Sequence, residues 1–450
     1  MKNERGGWGS KIAFIFAAAG SAVGLGNIWR FPYQTGMNGG AAFVFVYLIA
    51  VFFIGLVVFL AEVSMGRNTK KNPIGAFKQL KPGTPWYFVG LLGVFTAVMI
   101  LSYYGVIAGW TLGYAFKAIK GDFSKRLTEA FVQNMFSQFS SNIVLNLILF
   151  SIFILITVLV VSMGIKGGIE KLTKILMPLL FIILIYLSIR AVLFKGASTG
   201  LAFYLKPDFS KINSKVILFA ITQAFFSLSL GMGTIMTYGS YISDEDYLPS
   251  SALWVVSLDT LVAIIAGLVI FPTLFTIPGM SPQQGPALVF IVLPVVFSKI
   301  PGGAIFGFLF FLLLVIAALT STISLLEVPV AYLIDEKKWN RKKAALAVGF
   351  LSFIFGIPSI LANVKGNFFS NLPLFKKDFL SIMDLLWGNI SLLLGGFLIT
   401  IFVGYVWGAD NAIKEISKNR KKFALAKIWE IFIKYAVPIV LLIILLTYLI

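Results

Sequence analysis

The chain has no cysteine and no histidine among its 450 residues, and only 12% of them are charged. Without cysteine there are no disulfides and no thiolate metal sites; without histidine there are no imidazole ligands, general bases or proton relays. An enzyme loses most of its usual parts on these terms, and no catalytic residue is assigned. Polar stretches are scarce as well: apolar residues make up 59% of the chain and mean hydropathy is +0.94, against roughly 45–50% apolar residues in soluble domains. Continuous apolar runs are the signature of spanning helices and not of a barrel's short alternating strands. The fold class is therefore an all-α membrane protein.

Runs long enough to span fall near 12–35, 41–65, 88–117, 143–162, 169–194, 215–241, 252–276, 304–334, 344–362, 380–406 and 431–450, which predicts eleven transmembrane helices. The net charge of +19 invites a nucleic-acid reading until the basic residues are placed. With the N-terminus cytoplasmic, 22 of the 37 Lys and Arg lie in cytoplasmic segments, among them Lys337 to Lys343 and Lys414 to Lys427. These clusters occupy short loops with no recognition module. They read as topology signals and contacts with anionic lipid, and nucleic-acid binding is not expected. Ala17 to Ala22 mimics a signal-peptidase site, but the apolar pattern continues past it and no cleavage is expected.

Two spans are built to be interrupted. Gly20-Ser21-Ala22-Val23-Gly24-Leu25-Gly26-Asn27-Ile28-Trp29-Arg30 puts three glycines, an amide and an arginine into the first, and Phe225-Phe226-Ser227-Leu228-Ser229-Leu230-Gly231-Met232-Gly233 breaks the sixth. Unwound backbone at membrane depth survives only where protein buries it or where it lines a cavity holding something polar. Paired broken helices in corresponding positions of two halves point to a secondary transporter's binding site. Helices one to five (1–195) and six to ten (196–410) then form a 5+5 repeat, inverted because five is odd, with 411–450 as a cytoplasmic loop and an eleventh helix outside it. Prolines 278, 282, 286, 294 and 301 bracket a segment expected to fold as an external cap, and Gly168 with Pro178 weakens the cytoplasmic half of helix five.

Six motifs in order carry a resemblance across nearly the whole chain. They are Trp8 with Gly20 to Asn27, Arg30 and Gln34; Asn38-Gly39-Gly40 with Glu62 and Met65-Gly66-Arg67; Tyr103-Tyr104 ahead of Gly109-Trp110-Thr111-Leu112-Gly113; Phe225 to Gly233; Ala317 to Thr322; and Gly408-Ala409-Asp410. The chain resembles the neurotransmitter:sodium symporter family, in particular its bacterial amino-acid transporters.

A sodium ion takes hard oxygen ligands, which unwound backbone and hydroxyls supply without a net charge. Ala317, Thr320 and Ser321, at i, i+3 and i+4, share one helix face, and the resemblance implies that they join carbonyls of Gly20 and Val23 in one sodium site. It implies a second site of Ala22, Asn27, Ser227 and Asp259, with the substrate carboxylate as a further ligand. Asp259 stands where the commoner pattern has an amide, and Ala263 where many bacterial members have an acid. Asp259 is therefore expected to serve as ligand and counter-charge together, with no chloride requirement.

For the substrate, the freed amides of Leu25 and Gly26 suit a carboxylate, with Tyr104 adding its hydroxyl. Carbonyls around Ala22, Phe226 and Ser229 suit an ammonium, and Ser227 is expected at the substrate as well as at the ion. Gly24 occupies the place where monoamine-carrying members of the family have an aspartate, which favours an amino acid. Ile100, Phe226, Met232, Ser321 and Leu325 would surround the side chain, a mostly apolar set with one adaptable methionine. Two gate pairs are expected, Arg30 with Asp384 outside and Arg5 with Asp335 inside, each forming while its side is shut. Together these residues imply a monomeric, two-sodium symporter importing hydrophobic or aromatic L-amino acids across a bacterial inner membrane. The alternative is a substrate-gated channel or an amino-acid sensor on the same scaffold.

Overall fold

The computed structural model describes residues 6–123, 127–276, 288–373, 375–418 and 422–449. Among these the only strand-like pairing is an isolated bridge between Leu372 and Lys377; the rest is helix and loop. Helix α1 is broken into α1a (Lys11–Ala22) and α1b (Gly26–Met37), bent by 48°. Next come α2 (Ala41–Thr69), α3 (Tyr87–Ile119), α4 (Ile143–Ser162) and α5 (Ile165–Val192). Helix α6 is again broken, into α6a (Ser214–Ser227) and α6b (Thr234–Gly239). The series ends with α7 (Leu248–Leu274), α8 (Gly303–Lys337), α9 (Arg341–Leu361), α10 (Phe379–Val406) and α11 (Ala426–Tyr448). These are the eleven helices expected, in two units of five that each open on a broken helix, plus one.

Local signals set the boundaries. Ser10 caps α1a by accepting from Ala13 N, and Asn142, Asn213 and Asn340 cap α4, α6a and α9 in the same way, each satisfying an amide that has no partner within its helix. Most of the helices are apolar on all sides, because neighbours cover one face and lipid the other. Hydroxyl pairs replace apolar patterning as the specific contacts: Thr157 meets Thr322 at 2.9 Å between α4 and α8, and Thr96 meets Ser391 at 2.6 Å between α3 and α10.

Helices α3 and α8 run against each other along their lengths, with α4 and α9 packed outside them. Helix α1 sits on α7, and α6b on α2. The expected cap lies partly outside the described residues; its described part, Leu288–Phe297, is buried. Phe290 from this part stacks on Phe136 at 5.6 Å between ring centres and meets Trp110 and Tyr114 of α3 edge-on. Helix α5 opens on a wide turn, Ile165–Glu170, and carries Pro178 inside it, in the region expected to be weak.

Candidate functional site

The two breaks lie face to face, with Ser229 donating to Ser21 O. At the first, Val23 is extended (ψ 96°), so carbonyls of the last turn of α1a have no helical partner and are met from outside. Ser229 and Ser321 donate their hydroxyls to Ser21 O, both at 3.2 Å, Thr320 Oγ1 lies 3.4 Å from Val23 O, and Gln223 Nε2 donates to Gly26 O at 2.8 Å. At the second, Ser229, Gly231 and Gly233 all have positive φ, and the freed Gly231 amide donates to the buried carboxylate of Glu62 at 2.7 Å. A Cβ at Gly231 would stand 2.1 Å from Leu392 O, so only glycine lets this break lie against α10.

Two oxygen clusters flank the breaks. In one, Ala317 O and Val23 O lie 3.0 and 3.4 Å from Thr320 Oγ1, with Ser321 on the same face of α8 and Gly20 packed on Thr320. In the other, Asn27 Nδ2 donates to Asp259 Oδ1 at 2.7 Å, to Asp259 O at 3.0 Å and to Ser227 Oγ at 3.0 Å. Ser227 donates to Asp259 Oδ2 at 2.7 Å, and Tyr47 Oη reaches Ser227 at 3.4 Å. In this conformation a polarised amide NH2 occupies the centre of an oxygen set. Asn27 Oδ1 accepts from Gly24 N at 3.1 Å, so ligating a cation through Oδ1 takes a turn about χ2, a soft, roughly two-fold torsion, that breaks this bond. The described residues contain no group of three or more Asp, Glu, His or Cys arranged to hold a metal ion. The donors are one carboxylate, hydroxyls, amide oxygens and carbonyls, a set suited to a hard monovalent ion.

Between the clusters is a small cavity of about 20 Å³, lined by Ser21, Ala22, Gly24, Gly26, Ile100, Tyr104, Phe226, Ser229, Met232, Ser321, Ser324, Leu325 and Leu392. Every residue expected at the substrate is here except two. Leu25 is next to it, its amide donating to Tyr104 Oη at 2.9 Å, and Ser227 faces the Asp259 cluster instead. A Cβ at Gly24 would lie 2.4 Å from Ser321 Oγ and 2.8 Å from Tyr104 Oη, so a larger residue there would displace both hydroxyls.

The two sides of the cavity differ. Beyond Phe226 lies a vestibule of about 630 Å³ that reaches Arg30, Asp384, Lys365 and Asp378. Arg30 and Asp384 do not form a direct ion pair; Arg30 Nη2 donates to Asn389 Oδ1 at 2.6 Å, and Asn389 donates to Asp384 O at 2.7 Å. Arg30 also stacks over Phe226 at 4.5 Å, and Tyr103 Oη donates to Asp384 at 3.2 Å. The asparagine stands between the two charges. The N-terminal face is closed: Trp8 donates Nε1 to Tyr238 O at 3.0 Å and its backbone N to Tyr241 O at 3.2 Å. Asp335 accepts from Asn72 N and Nδ2 at 2.8 and 3.0 Å, while Arg5 lies outside the described residues. Behind Trp8, Tyr241 Oη and Arg341 both donate to the buried Glu327, the ion pair closing at 2.7 Å.

The model of the sodium:neurotransmitter symporter family matches residues 5–138 and 127–450. The chain belongs to that family. Among its relatives in the sodium:neurotransmitter symporter family are an uncharacterised sodium-dependent transporter of Haemophilus influenzae and one of Bacillus subtilis. The first is 39% identical over 98% of this chain and 97% of its own length, the second 37% identical over 97% and 96%. The crystal structure of MhsT in complex with L-phenylalanine superposes with a TM-score of 0.91 at 44% identity, covering 98% of this chain and 99% of MhsT. The chain is thus a sodium-dependent, multi-pass membrane transporter and not an enzyme, and its two five-helix units and extra helix agree with the symporter fold.

Four symporter residues at this site escaped sequence reasoning as functional groups: Gln223, Glu327, Asn389 and Ser324. Glu327 carried a usable signal, a lone acid deep in an apolar span, which is costly unless it serves a purpose. The other three are small or neutral, and only their partners on distant helices mark them.

Proposed function

We propose that this transporter is a symporter coupling two sodium ions to the import of hydrophobic and aromatic L-amino acids by alternating access. One observation supports the reading: both helix breaks line one small cavity, with an oxygen cluster on either side and a vestibule beyond Phe226. Residues Gly20, Val23, Ala317, Thr320 and Ser321 would hold one ion, and Ala22, Asn27, Ser227 and Asp259 the other. The amides of Leu25 and Gly26 with Tyr104 would take the substrate carboxylate, and Gly24 leaves room for it. Ile100, Phe226, Met232 and Leu325 would enclose the side chain. MhsT was solved with L-phenylalanine, which supports an aromatic substrate here. Repeat units at 1–195 and 196–410 would rock about this site, working as a monomer in a bacterial inner membrane with the N-terminal face cytoplasmic. Arg5–Asp335 and Arg30–Asp384 would close the two sides in turn.

Scintillation-proximity binding of the twenty amino acids, with and without sodium, tests the substrate class; binding of hydrophobic amino acids only in sodium is expected. Thr320→Ala with Ser321→Ala is expected to raise the half-saturating sodium concentration roughly tenfold or more, about 1.4 kcal/mol. An unchanged sodium curve in folded protein would remove these hydroxyls from the ion site. Met232→Phe fills the side-chain compartment, so tryptophan affinity should fall while alanine affinity holds. If the two affinities move together, Met232 does not set the size limit.

A further inference from the structure

Leu392 lines the cavity from α10, with Ile100 of α3 and Met232 of the second break among the other walls, and it is buried. Two contacts show which end of the cavity it occupies. Its neighbour Ser391 meets Thr96 of α3 at 2.6 Å; Thr96 is one turn before Ile100 and two turns before Tyr104, roughly 12 Å from the latter along the helix axis. On the other flank a Cβ at Gly231 would stand 2.1 Å from Leu392 O, which brings Met232, the next residue, alongside. Tyr104, bonded to the Leu25 amide, marks the end where a substrate carboxylate would lie. Leu392 therefore stands toward the opposite end, which a substrate side chain would reach.

At about 20 Å³ the cavity holds little more than a water molecule, so a wall has to give before a side chain enters. Met232 and Leu392 differ in how readily they give. Met232 is a flexible, unbranched thioether set between two glycines of positive φ. Leu392 is branched, and its backbone is held on both flanks. Leu392 O lies against Gly231, a Cβ at Gly395 would stand 2.1 Å from Gly231 O, and the Ser391–Thr96 bond ties this turn of α10 to α3. Displacing Met232 takes a change of rotamer; displacing Leu392 takes the loss of these contacts.

We infer that Leu392 is a specificity-determining residue, the fixed wall at the side-chain end of the cavity that limits the size of side chain accepted, with Met232 as the adaptable wall beside it. This rests on the reading of the cavity as an amino-acid site and adds a residue of α10 to that site. No sequence signal marks it, since Leu392 is one leucine of the run Leu392-Leu393-Leu394. Removing part of this wall makes room that a bulky side chain uses and a small one does not. One methylene in an apolar pocket is worth roughly tenfold or more in discrimination, and truncation of leucine to alanine removes more than one.

The test is sodium-dependent binding of tryptophan and of alanine to the wild-type chain and its variants. Leu392→Ala should raise the ratio of tryptophan to alanine affinity roughly tenfold, and Leu392→Phe should lower it by at least as much, with alanine affinity and its sodium dependence kept in both. Leu392→Met nearly conserves volume, a change that packed interiors tolerate well, and replaces the fixed wall by one that gives; it should raise the ratio in the same direction as Leu392→Ala. In the Met232→Phe background, where tryptophan affinity falls, adding Leu392→Ala should restore it, because space taken from one wall is returned by the other. Retained alanine binding reports folding in each preparation. A ratio that the Leu392 variants leave unchanged, or no rescue of Met232→Phe, overturns the assignment of Leu392 while the amino-acid site stands. Absence of sodium-dependent binding of any amino acid in wild type overturns the amino-acid reading itself.

Discussion

Asp259→Asn is expected to weaken sodium-dependent uptake at least tenfold in sodium affinity and to make the remaining activity respond to chloride, whereas the wild-type chain should work equally well in chloride and in gluconate. Asp259 is fully buried, with Ser227 and Asn27 as its side-chain partners and no basic group bonded to it. Two cations brought into this region repel each other and lose hydration, and a carboxylate about 4 Å from an ion offsets this by up to about 4 kcal/mol at an effective dielectric of 20. Asparagine keeps the shape and one ligand oxygen but not the charge, so a mobile anion has to supply it. Acidification should weaken uptake in the same sense, since protonating Asp259 removes ligand and charge together. Uptake measured in proteoliposomes with chloride replaced by gluconate checks both halves. A wild type that stops in gluconate would assign the counter-charge to chloride itself, in the neighbourhood of Tyr47.

The second large effect concerns the closed face. Arg341 and Glu327 are paired at 8% and 0% exposure, and Glu327 also receives Tyr241 Oη, whose backbone carbonyl holds Trp8. Arg341→Ala leaves a buried carboxylate without its cation, a loss of about 3–5 kcal/mol, and the chain can recover part of it by opening this face to water. Lower thermal stability and an opened N-terminal face are the expected results. The absence of native cysteine makes the second readout clean: a single cysteine at Phe14, whose ring lies 6.4 Å from Trp8, should react with a water-soluble maleimide much faster in the Arg341→Ala background. Removing both charges, with Arg341→Leu and Glu327→Leu, should restore stability but not the slow labelling. Equal labelling rates in all backgrounds would show that this pair is scaffold and takes no part in closing the face.

The spans and both breaks were legible in the sequence because they depend on local properties. Apolar runs longer than a bilayer's thickness allow one reading, and glycines at 24, 26, 231 and 233 weaken helix wherever the rest of the chain goes. The expected spans accordingly start and end within a few residues of the observed helices. The oxygen-bearing face of α8 was legible for the same reason, since i, i+3, i+4 spacing places residues before any tertiary contact forms.

What could not be read depends on partners far away in the chain. Glu62 was named only within a motif, and that it holds the Gly231 amide follows only once α2 and α6 are packed together. Asn389 is one amide among many until α10 brings it between Arg30 and Asp384. Arg30 and Asp384 were expected to pair with each other, and the structure places Asn389 between them. Ser227 was expected to face both substrate and ion; the fold turns its hydroxyl to Asp259 and leaves Ser229, which the positive φ at that position aims inward, on the cavity.

The central claim is that a sodium gradient drives an amino acid through this cavity. Purified protein in sealed proteoliposomes, loaded with potassium and diluted into sodium, should accumulate radiolabelled tryptophan or phenylalanine well above the external concentration. It should release the label when the sodium gradient is collapsed, with a fixed ratio of sodium to substrate. Uptake that only equilibrates, or that proceeds at the same rate and to the same level without a sodium gradient, would contradict coupled transport and assign the site to a channel or a sensor.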